Sequence, residues 1–569
     1  MRTFRVTGTA ALCLSLLAGA CATDRDPAGT SDTAVQSSGT SSRSESSPEP
    51  DRTDPAAPTG EAAPDAGEPD TTARSLGGPA QDPGWGPTRA ELDRAGRLAA
   101  GMSTKQLAGQ VIVADHAGQD APTGLVTGLD LGGVIVMGNG SGDVDRIRRS
   151  NQRLQQAVRA DGRRWPAFIG VDQEGGIVER VKGRATRFPA FMTAGAADDT
   201  RLTTNAAAAS GAELADLGFT VVFAPTGDVT TGPSDPTIGS RSAGSRPPLV
   251  ARHMSAAVDG YLSAGVLPVI KHFPGHGSVP ADSHYEMPVQ KASLRTLDRR
   301  DLVPFATGVE RGVSSVMVAH IDVRAVDPGV PASLSRKVVT GMLRERLGFD
   351  GLVVTDALNM LAVSGRFSSG EAAVRALRAG NDVLLMPQDP RAARDGIVRA
   401  VSDGRLSRSR LEQAAARQIA MLLHQDRFDA TVTRAAGSSG EVSRRLSARG
   451  VTVVAGRCRG PLVGRSVRGV GDPSAVAAFH RAARQAGLRT GAGATVALIG
   501  YRGAPRSADV VVSTDTPYVL SGSRARTAKV ALYGDTPGAM RALVDVLRGK
   551  AQAPGRLPVP VAGVPRDGC

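Results

Sequence analysis

A chain of 569 residues exceeds one ordinary domain and calls for about two to four domains, or a large one with an appendage. Hydrophobic residues make up 41% of it, enough for a sizeable core, which excludes global disorder. Aromatics at 3% argue against a protein that stacks single-stranded bases. Beyond the N-terminus no stretch is long and apolar enough for a spanning helix, which excludes a polytopic membrane protein. Lysine and arginine outnumber aspartate and glutamate by 68 to 55, a net +13. That balance suits an anionic partner, but arginine supplies nearly all of it, and a general arginine bias is the competing account.

The first twenty residues read as a secretory signal. Arg2 and Arg5 form a basic start, an apolar run follows over 10–18, and small residues precede Cys21. A cysteine in that position resembles a bacterial lipobox, which implies cleavage before Cys21 and acylation of it. Lipid chains there would hold an exported protein on the extracytoplasmic face of the cell membrane. Ordinary signal cleavage beside an incidental thiol is the alternative. Residues 21–84 then read as a disordered acidic linker. Over 22–84, four cations face twelve acids, and almost nothing is available to bury.

From Trp85 onward, short β-branched runs alternate with helix-like segments. The runs are 110–114, 133–137, 167–171, 219–224, 266–270, 315–319, 352–355 and 383–386. Helical connectors stand between them, as at 205–217 and 247–264. Eight apolar strands separated by helices predict an α/β fold, a (β/α)₈ TIM-type barrel over 85–436. An open doubly wound sheet is the runner-up. Polar clusters follow most of the runs: Asp172-Gln173-Glu174-Gly175-Gly176, Asp228 with Arg241 beyond it, Lys271-His272-Phe273-Pro274-Gly275-His276-Gly277, His320, and Asp356. A lone aspartate after a strand is usually a helix cap. In a barrel, five clusters at five strand ends converge on the face where active sites are built.

These clusters, with Arg180, Ile238-Gly239-Ser240-Arg241-Ser242, Asp282-Ser283-His284 and Gly348-Phe349-Asp350-Gly351 leading to Asp356 and Met360, resemble glycoside hydrolase family 3. The closest branch is the bacterial β-N-acetylhexosaminidases. The resemblance runs over about residues 99–425 and implies a barrel, often followed by an α/β sandwich domain. It makes Asp356 the nucleophile of a retaining mechanism. Glycosidic cleavage also needs a group to protonate the leaving oxygen. In this branch the resemblance assigns that task to His284 on a loop, oriented by Asp282. Histidine titrates near neutrality and can give and take a proton within one cycle. An incidental Asp-x-His in a surface loop is the bland alternative. Lys271, His272, Arg180, Arg241 and Asp172 are implied as sugar-binding residues, and Glu174 as a partner that orients them. His272 and His276 have a spacing that zinc sites use, but Pro274-Gly275 interrupts any helix between them. No metal or cofactor is expected. Ile177 and Ser278 stand where the family often has arginine and aspartate. Those departures bear on substrate preference and loop geometry rather than on reaction type.

Past Gly437-Ser438-Ser439-Gly440, which reads as a hinge, strand-like runs at 451–455, 495–499, 509–513 and 529–533 predict a smaller three-layer α/β sandwich domain over 441–569. Helices are expected at 474–486 and 537–547. Twenty cations against seven acids there suggest contact with an anionic cell-wall polymer, against the alternative of a solvated arginine-rich surface. No catalytic acid loop is evident in this segment; the β-glucosidase branch takes its acid from the corresponding domain. Once Cys13 is lost and Cys21 acylated, Cys458 and Cys569 remain as a candidate disulfide. The expected activity is exo-β-N-acetylglucosaminidase action on cell-wall-derived glycans containing N-acetylglucosamine. A phosphorylase, a β-glucosidase and a non-catalytic wall-binding lipoprotein are the alternatives. No nucleic-acid partner is expected.

Overall fold

A computed structural model describes residues 82–117, 120–138 and 142–564. Cys21, the expected linker up to residue 81 and Cys569 lie outside them. The described residues form one compact unit.

Eight strands make the barrel: β1 (Ile112–His116), β2 (Gly133–Val136), β3 (Phe168–Val171), β4 (Val221–Val222), β5 (Leu267–Pro268 continuing as Ile270–Phe273), β6 (Ser315–Val318), β7 (Leu352–Thr355) and β8 (Leu384–Leu385). Every neighbouring pair is parallel, from β8 against β1 round to β6 against β7. A parallel bridge between Val354 and Val383 closes the ring. The eight expected strands are all present. The first starts later than expected, because Gln110 ends the helix Thr104–Gln110. That helix has a reciprocal cap between Ser103 and Gln106, and such a cap fixes a helix start more firmly than β-propensity opposes it.

Alternation along the strands explains why they are apolar throughout. Val113, Ile135, Phe168, Val221 and Phe223 point into the barrel and pack with Leu267, Met317 and Leu352, while Trp85 belongs to the same cluster. Ile112, Ala114, Val134, Val136, Ile169 and Val222 point outward against the helices. Gly170 makes room for this interior: a Cβ there would lie 2.7 Å from the Phe223 ring. The Ala-rich helix Thr200–Asp216 packs closely on Pro247–Ser263. A Cβ on Gly260 would come within 2.4 Å of the Thr204 carbonyl oxygen.

The tail carries a second sheet: β9 (Thr452–Gly456), β10 (Ser466–Gly471), β11 (Arg489–Thr490), β12 (Ala494–Ile499), β13 (Ser507–Ser513) and β14 (Arg524–Ala531). Its order is β9-β14-β13-β12-β10-β11, parallel except for β9. Four strands match the expected runs; β10 and β11 are additional. The helices Pro473–Gln485 and Pro537–Leu547 cover one face. The other face packs on Met192 and Ala196 of the barrel helix Met192–Ala197 and on Leu557 and Val559. One of the three layers is therefore partly borrowed from the barrel. The segment expected to be a hinge is bound to the barrel. The buried carboxylate of Glu213 accepts hydrogen bonds from the Gly437 and Ser439 amides at 2.7 and 2.9 Å. Cys458 is disulfide-bonded.

Candidate active site

The polar clusters stand at the C-terminal ends of their strands, so all face the same mouth. Asp228, beyond β4, is the residue around which β5's exit is built. It has no exposure. Its carboxylate accepts the His276 amide at 2.6 Å and the His272 ring Nδ1–H at 2.6 Å. Burial works to raise its pKa, but the neighbouring His272 and His276 and these hydrogen bonds bring it below the usual carboxylate range. Gly275, at φ +123°, lets this turn pass Asp301, whose Cβ would lie 2.6 Å from any Cβ at that position. The peptides Ala224–Pro225, Lys271–His272 and Phe273–Pro274 are cis.

Lys271 and Arg241 converge on Glu174. Lys271 Nζ lies 2.6 Å from both Asp172 and Glu174. Arg241 meets Glu174 through Nε and Nη2, both at 2.8 Å, a bidentate pair. Burial opposes the charge on each of these groups. For Glu174 the adjacent Arg241 and Lys271 outweigh it and hold the carboxyl far below the usual range. For Lys271 the two carboxylates raise its pKa above the ordinary lysine value. Glu174 is thus a permanently ionised anchor and unsuited to deliver a proton near neutral pH. The Arg241 guanidinium is largely committed to it, with Nη2 also 3.4 Å from His272 Nε2. Asp172 keeps an oxygen beyond its bond to Lys271. Arg180 gives its amide to Gln173 at 2.9 Å, and its buried Nε has no partner.

Asp356 follows β7. Its amide donates to Val318 at 2.9 Å and its Oδ1 accepts the Ala357 amide at 2.8 Å. The helix after it, Leu361–Ser364, starts from Met360, so Asp356 does not cap it. Burial works to raise the Asp356 carboxyl, but the charges of His272, His320 and His284 and the Ala357 amide bring it down to about 2. His320 is buried and structural: its Nε2 donates to the Ala357 carbonyl at 2.9 Å, and its Nδ1 accepts from Ser333 at 2.6 Å.

Asp282 and His284 lie on the loop after β5. Asp282 Oδ1 accepts from the His284 amide at 3.0 Å and from its Nδ1 at 2.7 Å. The His284 side chain is 60% exposed, whereas Ser283 between the two is buried. Ser283 Oγ meets His276 Nε2 at 3.0 Å, and its carbonyl accepts from Ala362. The loop is thus fastened on one side to the β5 turn and on the other to the segment after Asp356. His276 is pushed down to about 4, by burial first and then by the charge of His272. Among the described residues no group of three or more histidine, cysteine, aspartate or glutamate side chains is arranged to hold a metal ion.

A buried carboxylate at a strand end, an exposed imidazole hydrogen-bonded to a carboxylate, and a buried cluster of paired charges make up this site. Residues 104–421, more than half of the chain, match the glycosyl hydrolase family 3 N terminal domain. The chain belongs to glycosyl hydrolase family 3. It is 35% identical over 325 residues to the Beta-hexosaminidase LpqI of Mycobacterium tuberculosis, covering 56% of this chain and 81% of that relative. It is 36% identical over 279 residues to the Beta-hexosaminidase A of Pseudoalteromonas piscicida, 46% of this chain, and spans only 47% of that relative's length. A solved glycoside hydrolase family 3 beta-N-acetylglucosaminidase from Paenibacillus sp. str. FPU-7 matches at TM-score 0.73 and 28% identity, over 81% of this chain and 99% of that one. That share exceeds the barrel alone, so the likeness takes in tail-domain residues.

Ile177 is 44% exposed at the site's rim. Ser278 accepts from Gln290 at 2.6 Å. The sequence reading undervalued Asp228 and Glu213, since a single acid in a loop has no spacing signal. It also passed over Asp515, which accepts a hydrogen bond from the Ser240 hydroxyl, next to Arg241.

Proposed function

We propose that the protein is a retaining exo-acting β-N-acetylglucosaminidase. Asp356 attacks the anomeric carbon to form a glycosyl-enzyme, and His284 protonates the leaving oxygen. His284 then takes a proton from the water that releases the sugar. Asp282 holds the imidazole by Nδ1 and steadies its charged form. Asp172, Lys271, His272, Arg180 and Arg241 cradle the terminal sugar's hydroxyls. Asp172, which keeps an oxygen beyond its bond to Lys271, makes a direct contact, and Glu174 keeps Lys271 and Arg241 in place. The observation that carries the reading is the 2.7 Å Asp282–His284 pair on a loop fastened beside Asp356. The beta-hexosaminidase names of the relatives support the substrate class.

Acids of the tail domain that reach the barrel are otherwise engaged. Asp515 bonds Ser240, and Asp535 pairs with Arg187 at 2.9 Å. That favours His284 over an acid supplied by the second domain. The proposal extends to cell-wall-derived glycans as substrates and to export with a lipid anchor at Cys21, on the extracytoplasmic face of the cell membrane. Turnover of matched aryl β-N-acetylglucosaminides and β-glucosides, with and without phosphate, tests the activity. Preferential release from the former, yielding free sugar in either buffer, is expected. A glucoside preference or a sugar phosphate product overturns it. For the anchor, Cys21→Ser should move the protein from the membrane fraction to the medium, and wild-type protein found free in the medium sinks that part.

A further inference from the structure

Five of the tail domain's cations line two grooves. Arg489 opens β11 beside β10, and its amide donates to the Arg465 carbonyl at 3.1 Å, so the two arginines flank one strand pair. The helix Pro537–Leu547 carries Arg541 and ends at Arg548, with Lys550 just beyond. Two grooves meet at Arg548. One, of about 540 Å³, is lined by Arg465, Arg489 and Arg548. The other, of about 330 Å³, is lined by Arg541, Arg548 and Lys550, with Asp545 its one acid. None of these five cations makes an ion pair or a side-chain hydrogen bond with a described residue.

A general excess of arginine does not account for this. Exposed arginines of the barrel often have an acid within reach, as in Arg146–Asp120 at 2.7 Å, Arg311–Asp259 at 3.0 Å and Arg346–Asp298 at 2.7 Å. The negative end of the helix dipole favours Arg548 and Lys550, but Arg465, Arg489 and Arg541 lie elsewhere. Unpaired like charges around a concavity repel one another and focus field on whatever anion enters it. Arginine's planar fork matches phosphate oxygens in pairs. Two concave grooves that share Arg548 suit a chain better than a flat bilayer. No large apolar side chain is exposed along them, the exposed ones being Ile177, Tyr285, Leu361, Phe428 and Tyr501, so nothing there would enter a lipid surface.

We infer that the two grooves form one binding track for a linear polymer bearing phosphate groups, separate from the glycosidase site. The test uses the whole protein and medium-chain inorganic polyphosphate as the probe. Wild-type protein should bind it with an affinity that falls linearly on a log–log plot against salt. The triple variant Arg465→Gln, Arg489→Gln, Arg541→Gln, all exposed positions, should lose about tenfold or more in affinity and flatten the salt slope by about two to three. Its aryl-glycoside turnover should not change. A second triple variant, Arg201→Gln, Arg295→Gln, Arg299→Gln on exposed barrel helices, removes the same charge and should leave binding nearly intact. Equal loss in both variants reduces the effect to net charge and overturns the track. Tighter binding to phosphatidylglycerol vesicles than to polyphosphate, lost in the first variant alone, makes the surface a membrane contact and overturns it too. Because binding is read without catalysis, failure of this inference is distinguishable from failure of the glycosidase reading.

Discussion

The two halves of the site are built in opposite ways. The strand-end half, Asp172, Glu174, Lys271, Arg241, His272, Asp228 and Asp356, is largely buried; the first six interlock through pairs at 2.6–2.8 Å, and Asp356 accepts the Ala357 amide at 2.8 Å. The loop half, Asp282 with His284, holds its imidazole 60% exposed over a half-buried Asp282 and is fastened through Ser283 and, more weakly, through the Ala281 carbonyl, which accepts from the Thr237 hydroxyl at 3.4 Å. A group that binds sugar and meets developing positive charge gains from being preorganised in a dry setting. A group that must exchange protons with a leaving alcohol and then with water gains from solvent access. On the proposed assignment, the rigid half serves positioning and the exposed half proton traffic.

Five substitutions, one with a labelling companion, break or sharpen that contrast. Asp356→Asn should cost about 10⁴-fold or more in kcat, since a nucleophile's loss is not shared by its neighbours. The fold should persist, because a strand-end carboxylate facing the mouth contributes little packing. With its carboxyl held at about 2, labelling by an activated fluorinated sugar should stay on Asp356 and keep its rate between about pH 7 and about pH 4. An acid limb near neutrality would break the assignment.

In the loop half, His284→Ala should lose about 10²–10⁴-fold on a disaccharide. A nitrophenyl glycoside leaves unaided, so there the first step should survive, with a burst and with turnover restored by azide. Equal loss on both substrates, without burst or azide product, would make His284 a binding residue. Asp282→Asn should be milder, about tenfold, since it misorients the ring without removing it.

In the buried half, Glu174→Gln leaves Lys271 and Arg241 facing a neutral amide. The expected cost is about 3–5 kcal/mol of stability, seen as a lowered Tm in thermal melts, together with a raised KM. An unchanged melt would show that the cradle is not interlocked in the way its distances imply.

His276 tests the buried half through pH. Its pKa is lowered to about 4 in the folded protein, so below about 6.5 the unfolded chain binds the extra proton. Stability is therefore lost as pH falls from about 6.5 toward about 4, by up to about 3 kcal/mol for this group. His276→Gln should flatten that part of the curve. If the slope stays the same, other buried histidines such as His320 and His253 carry it.

Local chemistry made much of this protein legible from its sequence. Eight apolar runs with helical spacing imply a parallel barrel because both sheet faces must be covered. Polar clusters at run ends imply one catalytic face because parallel strands end together. The motif around Asp282 and His284 could be read through its resemblance to the family, since an Asp-x-His in a loop carries little signal of its own. Long-range pairing was beyond such reading. Glu174 lies 67 residues from Arg241, and only the closed ring brings them to 2.8 Å and turns an expected sugar donor into a partner of a carboxylate. Glu213, in a helix, ties down Gly437 and Ser439 more than two hundred residues later, so a sequence that reads as a hinge is held. β10, with glycine at 469 and 471 and arginine at 468, lacks an apolar run, and its pairing with β12 makes it a strand. The second face of the tail sheet is closed by a barrel helix, and Arg465, Arg489 and Arg548 come to line one groove only when the tail domain folds. Sequence determines which residues can do chemistry and which segments must be buried; tertiary structure decides which charges meet, because the energy of a pair depends on a distance that separation along the chain does not set.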